Sequence, residues 1–426
     1  MAAPSRRSVI TGVGVLSPIG QDVGAFWRSL QDGRSGVHSI TTFDASALPV
    51  RFAGEIPDFD AKEFVEKKDR RGLKMMARTI QLAVAAAQRA MEDGGVDKTK
   101  LVPERFGVEF GAGLIATELP ELADACRVSV NCQPGRVDLE KWGEQGLSAI
   151  QPLWMLKYLP NMLACHVSIL HDARGPNNSV TEGDAASLLA MGEAFRILGR
   201  DQADFFLVGG AESKINPLSL VRQCLYEPLS RRNDAPEKAC RPFDRNRDGL
   251  VVGEGAGVFV LEEMEHAKKR GARIYAEVAG FGAAFSPNLQ GDGLARAIRA
   301  ALKEAGAGPE EVDHVNAHGL ASKASDEWEA RNLQEVFGAL NTPILAVKSY
   351  IGNLGAAAGS TELAASVLAL HQGMVPATLN YEEPDPECPV TVATGAPRPT
   401  ERPYVVKVGF TQMGQCAAVV LRKWQQ

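Results

Sequence analysis

With 426 residues, 45% of them hydrophobic, the chain can bury a large core, and no stretch rich in Pro, Ser or charge divides it into separate beads. A formal net charge of −6, without any basic stretch interleaved with aromatics, argues against nucleic acid as a partner. The cysteines, Cys126, Cys132, Cys165, Cys224, Cys240, Cys388 and Cys416, are odd in number and lack metal-ligand spacing, which fits a reducing cytoplasm and no metal site.

Residues 1–7 are basic, but the apolar run behind them is broken by Gly12, Gly14 and Pro18, so no signal peptide is expected. No stretch is long enough to span a membrane. Residues 7–20, RSVITGVGVLSPIG, predict a β-rich segment breaking at glycines. An alanine-rich amphipathic helix over 79–91 and a strand over 106–110 follow. A strand over 178–181 then turns into a helix over 184–198, where Leu188, Leu189, Met191, Ala194, Phe195 and Leu198 cover much of the surface and Gly199 ends the run. Such a helix belongs in the interior, with its positive N-terminal end directed at Asp184. The same plan recurs in a β-rich segment over 273–286, a helix over 294–305, a strand over 314–317, and a strand over 344–347 leading into a helix over about 356–370. This echo predicts a duplicated α/β chain, with an N-terminal half over 1–265 and a C-terminal half over 266–426.

Neither GVGVLSPIG nor GEGAG completes a dinucleotide fingerprint, and no P-loop is present, so these glycines read as turns. More specific are ARGPNNSVTEGDAAS at 173–187, LVGGAES at 207–213, RPFDRNRDGLVVGEGAG at 241–257, VNAHG at 315–319 and AVKSYIGNLGAAAG at 346–359. In this order and spacing they resemble the β-ketoacyl-acyl-carrier-protein synthases, nearly end to end. The resemblance implies a thiolase-like αβαβα layered sandwich of two similar halves related by a pseudo-twofold. It also implies an active site between the halves and a dimer formed through strands near the nucleophile turn.

Counted back from the GGAE of Gly209, Gly210 and Glu212, Asp184 stands where that family keeps its cysteine. A thiolate exchanges acyl groups with a thioester at little cost. A carboxylate would have to form a mixed anhydride, so condensation by this chain alone is not expected. By resemblance, His318 is the first active-site histidine, Asn353 takes the place of the second, and Lys348 with Glu329 matches a pair that braces that second position. Asparagine there can still donate to an enolate oxygen. Where the family has HGTST this chain has Leu320, Ala321 and Ser322, leaving Ser322 as the pantetheine-binding hydroxyl, and Gln412 replaces the gating phenylalanine. By composition the EKKDRRGLK segment, with Lys67, Lys68, Arg70 and Arg71, reads as a solvated face, whereas the resemblance implies a docking patch for acidic carrier protein there.

Asp184 is also expected to cap its helix. If His318 and Lys348 lie close, Asp184 should stay ionised and His318 should tend toward its protonated form. The remaining histidines have no motif behind them.

The resemblance is nearest to the chain-length factor, or ketosynthase β subunit, of type II polyketide synthases, although those commonly carry glutamine at this position. The expected role is therefore a non-condensing partner of an active ketosynthase in a polyketide or specialised fatty-acid pathway. It would act with phosphopantetheine on acyl carrier protein and bind no cofactor of its own. Malonyl-carrier-protein decarboxylation by His318 and Asn353 is an alternative. A homodimer that holds carrier protein or an acyl chain is another.

Overall fold

The Val, Ile and Gly-rich run after Arg7 forms strand β1 (Ser8–Leu16), and all nine of its residues are buried. It lies near the middle of a ten-stranded mixed sheet in the computed structural model, which describes residues 6–130, 135–338 and 340–425. Residues 1–5 and Cys132, both weighed in the sequence, fall outside that description. The other strands are β2 (Phe106–Ala112), β3 (Asn177–Val180), β4 (Phe205–Ser213), β5 (Glu254–Glu263), β6 (Ala276–Phe285), β7 (Val312–Asn316), β8 (Ile344–Leu345), β9 (Tyr404–Phe410) and β10 (Gln415–Lys423).

From the outer edges inward, the first five strands run β3-β2-β4-β5-β1 and the last five β8-β7-β9-β10-β6. Both sets have the order 3-2-4-5-1, with three parallel strands outside and antiparallel pairing toward the middle. The duplication expected from the sequence is thus visible in the topology. The two sets meet along a seam of three residue pairs, Ser8 to Ile10 against Val278 to Ala276.

Helices complete five layers. On the outside of the first set lie α1 (Arg78–Asp93) and α2 (Met162–His171), packed on Phe106, Val108 and Phe110. Two helices, α3 (Ala186–Gly199) and α6 (Ala358–Gln372), fill the middle and touch strands of both sets. On the far side α4 (Gly293–Ala305) and α5 (Lys323–Phe337) pack on Val406, Val408 and Val420. The interior position expected for α3 holds, and α6 is buried at every residue from Ala358 to Leu370. Close approach of helix to sheet needs glycine: a Cβ on Gly14 would lie 1.9 Å from the Ala86 carbonyl oxygen of α1. Among the described residues no helix is long and apolar enough to cross a membrane.

One core group is poorly matched to its place. Glu109 on β2 is 1% exposed, and its Oε2 has no hydrogen-bond partner among the described residues. Burial, with the nearby charge of Glu193 adding, pushes this carboxyl up to about 8 from an ordinary 4.5. A raised folded-state value means that the contribution to stability is complete below the unfolded value and is lost as pH climbs through the folded one. Glu109→Gln removes the ionisation. Its stability relative to the native chain is expected to rise from about pH 5 to about pH 8, by at most about 1.4 kcal/mol per pH unit. Urea unfolding of both proteins at the two pH values measures this, and a difference independent of pH would refute it.

Candidate active site

Three turns converge between the two halves of the sheet. The first follows β3: Gly183, at φ +48°, lets the chain turn sharply into a short 3₁₀ turn, Gly183–Ala185, which carries Asp184 into α3. The second follows β7 and carries His318, with Gly319 at φ +53° behind it. The third lies between the helical turn Lys348–Ile351 and α6, where Gly352 turns at φ +73° and presents Asn353. Pseudo-equivalent central helices thus each begin beside a polar residue of the site.

Asp184 does not cap its helix, contrary to expectation. The cap position belongs to Ala185, and no side chain there accepts from the first turn. Instead Asn353 Nδ2 donates to Asp184 Oδ2 at 2.9 Å, and His318 Nε2 lies 3.6 Å from the same oxygen. Two groups that can donate therefore converge on one carboxylate oxygen, whose side chain is 19% exposed.

Below this, His318 is fixed from behind. Lys348 Nζ lies 3.1 Å from His318 Nδ1 and donates to the His318 carbonyl oxygen at 2.8 Å. Because an ammonium only donates, Nδ1 must be the lone-pair nitrogen, and the proton sits on Nε2 facing Asp184. The protonated histidine expected from the sequence is therefore corrected. Burial, reinforced by the positive charges of Lys348 and Lys407, holds His318 well below the ordinary histidine value, so the ring is neutral.

The bracing pair differs as well. Lys348 pairs with Glu362 Oε1 at 2.7 Å, and Lys407 with the other oxygen of Glu362; all three side chains are at most 1% exposed. Burial pulls Lys407 below the ordinary lysine range against the attraction of Glu362. Glu329 braces the His318 turn instead, accepting from the backbone N–H of His318 at 2.6 Å and of Gly319 at 2.8 Å. Its burial raises its carboxyl to about 7. Lys348 still steadies the Asn353 turn, since its carbonyl accepts from the Gly352 N–H at 2.8 Å.

Other residues named from sequence lie around this centre. Ser322 is buried at the start of α5, where its hydroxyl makes no capping bond. Gln412 is exposed and donates to Glu227 Oε2 at 2.9 Å, whereas the aromatic ring beside His318 is Phe410, at 4.4 Å between centroids. Lys67, Lys68, Arg70 and Arg71 are exposed and outside this centre; Lys68 is engaged with Glu66 at 3.0 Å.

Four contributors were not singled out from sequence: Glu362, Lys407, Phe410 and Lys214. The signal for Glu362 was available, since it is the one acidic residue in an otherwise uncharged α6 and a buried charge requires a partner. Lys214 pairs with Glu212 Oε1 at 3.2 Å beside the site. Burial alone would lower Lys214, but the charges of Glu212 and then Asp184 outweigh it and raise the value. Chemically, the centre offers two hydrogen-bond donors, a carboxylate between them and no thiol. Among the described residues no cluster could hold a metal ion.

The sequence matches two family profiles, the N-terminal domain of β-ketoacyl synthase over residues 5–267 and its C-terminal domain over 274–382. It is 37% identical over 389 residues to 3-oxoacyl-[acyl-carrier-protein] synthase 2 of Vibrio cholerae, covering 89% of this chain and 90% of that one. Identity to the putative polyketide β-ketoacyl synthase 1 of Streptomyces cyaneus is 38% over 431 residues, covering 98% of each chain. Among solved structures, the ishigamide ketosynthase/chain length factor superposes with a TM-score of 0.86 at 31% identity, over 99% of this chain and all of that one.

Proposed function

The chain belongs to the β-ketoacyl synthase family, and from that premise we propose that it is a non-condensing subunit of the chain-length-factor type. In this reading it pairs with an active ketosynthase and shapes the acyl tunnel of a type II polyketide or specialised fatty-acid pathway, working with carrier-protein phosphopantetheine. The observation that carries the reading is Asp184: its carboxylate takes the turn where the acyl group would be received and is held there by Asn353. A hydrogen-bonded carboxylate cannot replace a thiolate in thioester exchange.

Pairing has independent support. Among the described residues, ten of the sixteen exposed large hydrophobics fall between Leu114 and Ile169 in the sequence, and the last of them lies on α2, which packs against the exposed edge strand β3. A patch of that kind marks a protein interface, and an uncovered edge strand is a template for another strand. One structural relative is a ketosynthase/chain length factor, which suits a two-subunit arrangement. The exposed Lys67, Lys68, Arg70 and Arg71 suit an acidic carrier protein.

Co-expression with an active ketosynthase that keeps its cysteine, from the same organism, tests the reading. A stable heterodimer is expected, with product length altered by substitutions along its tunnel. Recovery of the chain only as a homodimer that binds carrier protein, with product length indifferent to those substitutions, would favour a holding role instead. Within the heterodimer, reversing both Arg70 and Arg71 to Glu is expected to weaken carrier-protein binding by about tenfold or more, and more at low salt. Unchanged affinity by titration calorimetry would leave these side chains as a solvated face.

A further inference from the structure

At the far end of α3 from Asp184 lies a cavity of about 750 Å³, lined by Arg6, Arg7, Arg196, Arg200 and Arg422. It sits where the starts of β1 and β6, the end of β10 and the last turns of α3 and α4 come together. Its carboxylates are few. Glu277 serves two guanidiniums at once, accepting from Arg7 Nε at 2.7 Å and Arg422 Nε at 2.7 Å. Glu304 takes Arg196 at 2.9 Å. Arg6 reaches Asp201 at 2.7 Å and Asp204, but Arg105 shares both. Even with Arg105, those two aspartates and Glu265, whose charge reaches Arg7, included, six guanidiniums face five carboxylates.

Two of these arginines have a local explanation: Arg196 and Arg200 close the C-terminus of α3, where the helix dipole favours cations. Arg6 shares that helix end, donating to the Leu198 carbonyl oxygen at 3.2 Å, but the explanation does not extend to Arg7 and Arg422 on strand ends. Among the described residues none forms an ion pair with the Arg200 guanidinium. A surplus of positive charge gathered in one concave place on an acidic chain costs self-repulsion unless an anion relieves it. The volume falls within the usual range for small-molecule sites. Guanidinium forks match phosphate oxygens two at a time, and Phe195, Val278, Ala279 and Ala305 supply an apolar wall beside them.

We propose that this cavity is a second ligand site, taking an organic anion with two or more linked phosphates, such as a nucleoside di- or triphosphate. It is independent of the acyl-handling centre. Titration calorimetry of the full-length protein with ATP, inorganic pyrophosphate and inorganic phosphate tests it. ATP is expected to bind tightest, at least about tenfold above inorganic phosphate, with affinity falling as salt rises. Arg200→Glu and Arg7→Gln are each expected to lower ATP affinity by about tenfold or more. The exposed Arg200 also permits its variant to keep the native melting temperature. Absence of ATP binding up to about 5 mM, where affinities are weaker than any ordinary small-molecule site, would overturn the proposal. So would ATP affinity indifferent to both substitutions, or pyrophosphate binding as tightly as ATP, which would remove the organic part.

Discussion

Asp184→Ala is expected to release carbon dioxide from malonyl-carrier protein at a rate about 10²-fold or more above the native chain. The reason is the convergence of His318 Nε2 and Asn353 Nδ2 on Asp184 Oδ2. While that oxygen is in place, Asn353 is hydrogen-bonded to it and His318 Nε2 faces it at 3.6 Å, so the acceptor of the protein's own stands where a substrate oxygen would have to sit. Its removal leaves them facing space in which a thioester carbonyl oxygen fits. Decarboxylation then breaks the bond between the methylene carbon and the carboxylate. The electron pair moves onto the thioester oxygen as an enolate held by the two donors, and water returns a proton to give acetyl-carrier protein. No thiol is needed. The neutral state of His318 makes it a donor through Nε2 with its other nitrogen tied to Lys348, so adding His318→Ala to the same variant is expected to abolish the gain. Because Asp184 caps nothing, its loss removes no capping bond. Mass spectrometry of malonyl- and acetyl-carrier protein follows the conversion. Equal rates for the native and Asp184→Ala chains would mean that the carboxylate does not block the donor pair.

A different kind of loss is expected from Glu362→Ala, a destabilisation of about 3–5 kcal/mol. Glu362 is fully buried in α6 and stands between Lys348 and Lys407, which are also buried. Without it, two positive charges remain in the interior with no ion-pair partner, and most of the attraction that offsets their desolvation is lost. Lys348 would also lose the contact that aims it at His318. Glu362→Gln keeps the shape and removes the charge, so it is expected to lose nearly as much. Adding Lys407→Met, which takes away one uncompensated ammonium, should restore part of the loss. Urea unfolding midpoints report all three, and a loss below about 1 kcal/mol for Glu362→Ala would show that the pairs contribute little.

The layered fold was legible because its signals are local and repeated. Helical spacing in α3 and α4, β-rich runs at β1 and β6, and glycines at the turns each follow from covalent geometry and short-range patterning. The doubling of that plan fixed the number of halves. Asp184, His318 and Asn353 were legible through motifs, and the structure brings all three within one cluster. What the sequence did not yield were relations across the chain. Glu329 was paired with Lys348 on resemblance, yet the charge that reaches the ammonium is Glu362, fourteen residues further on. Capping at Asp184 was a sound local preference defeated by a long-range acceptor role, since Asn353 lies 169 positions away. His318 was assigned a proton from the charge of Asp184 even with Lys348 expected close by; the depth of its burial and the second lysine, Lys407, were not in view. The ring beside it was sought at Gln412, two residues past Phe410.

The seam between the halves has its own consequence. Among the described residues only three strand residue pairs stitch one five-stranded lobe to the other, and the Asp184 turn is carried by one lobe while His318 and Asn353 are carried by its twin. A substitution at the turn therefore leaves the opposing lobe's backbone bonding untouched.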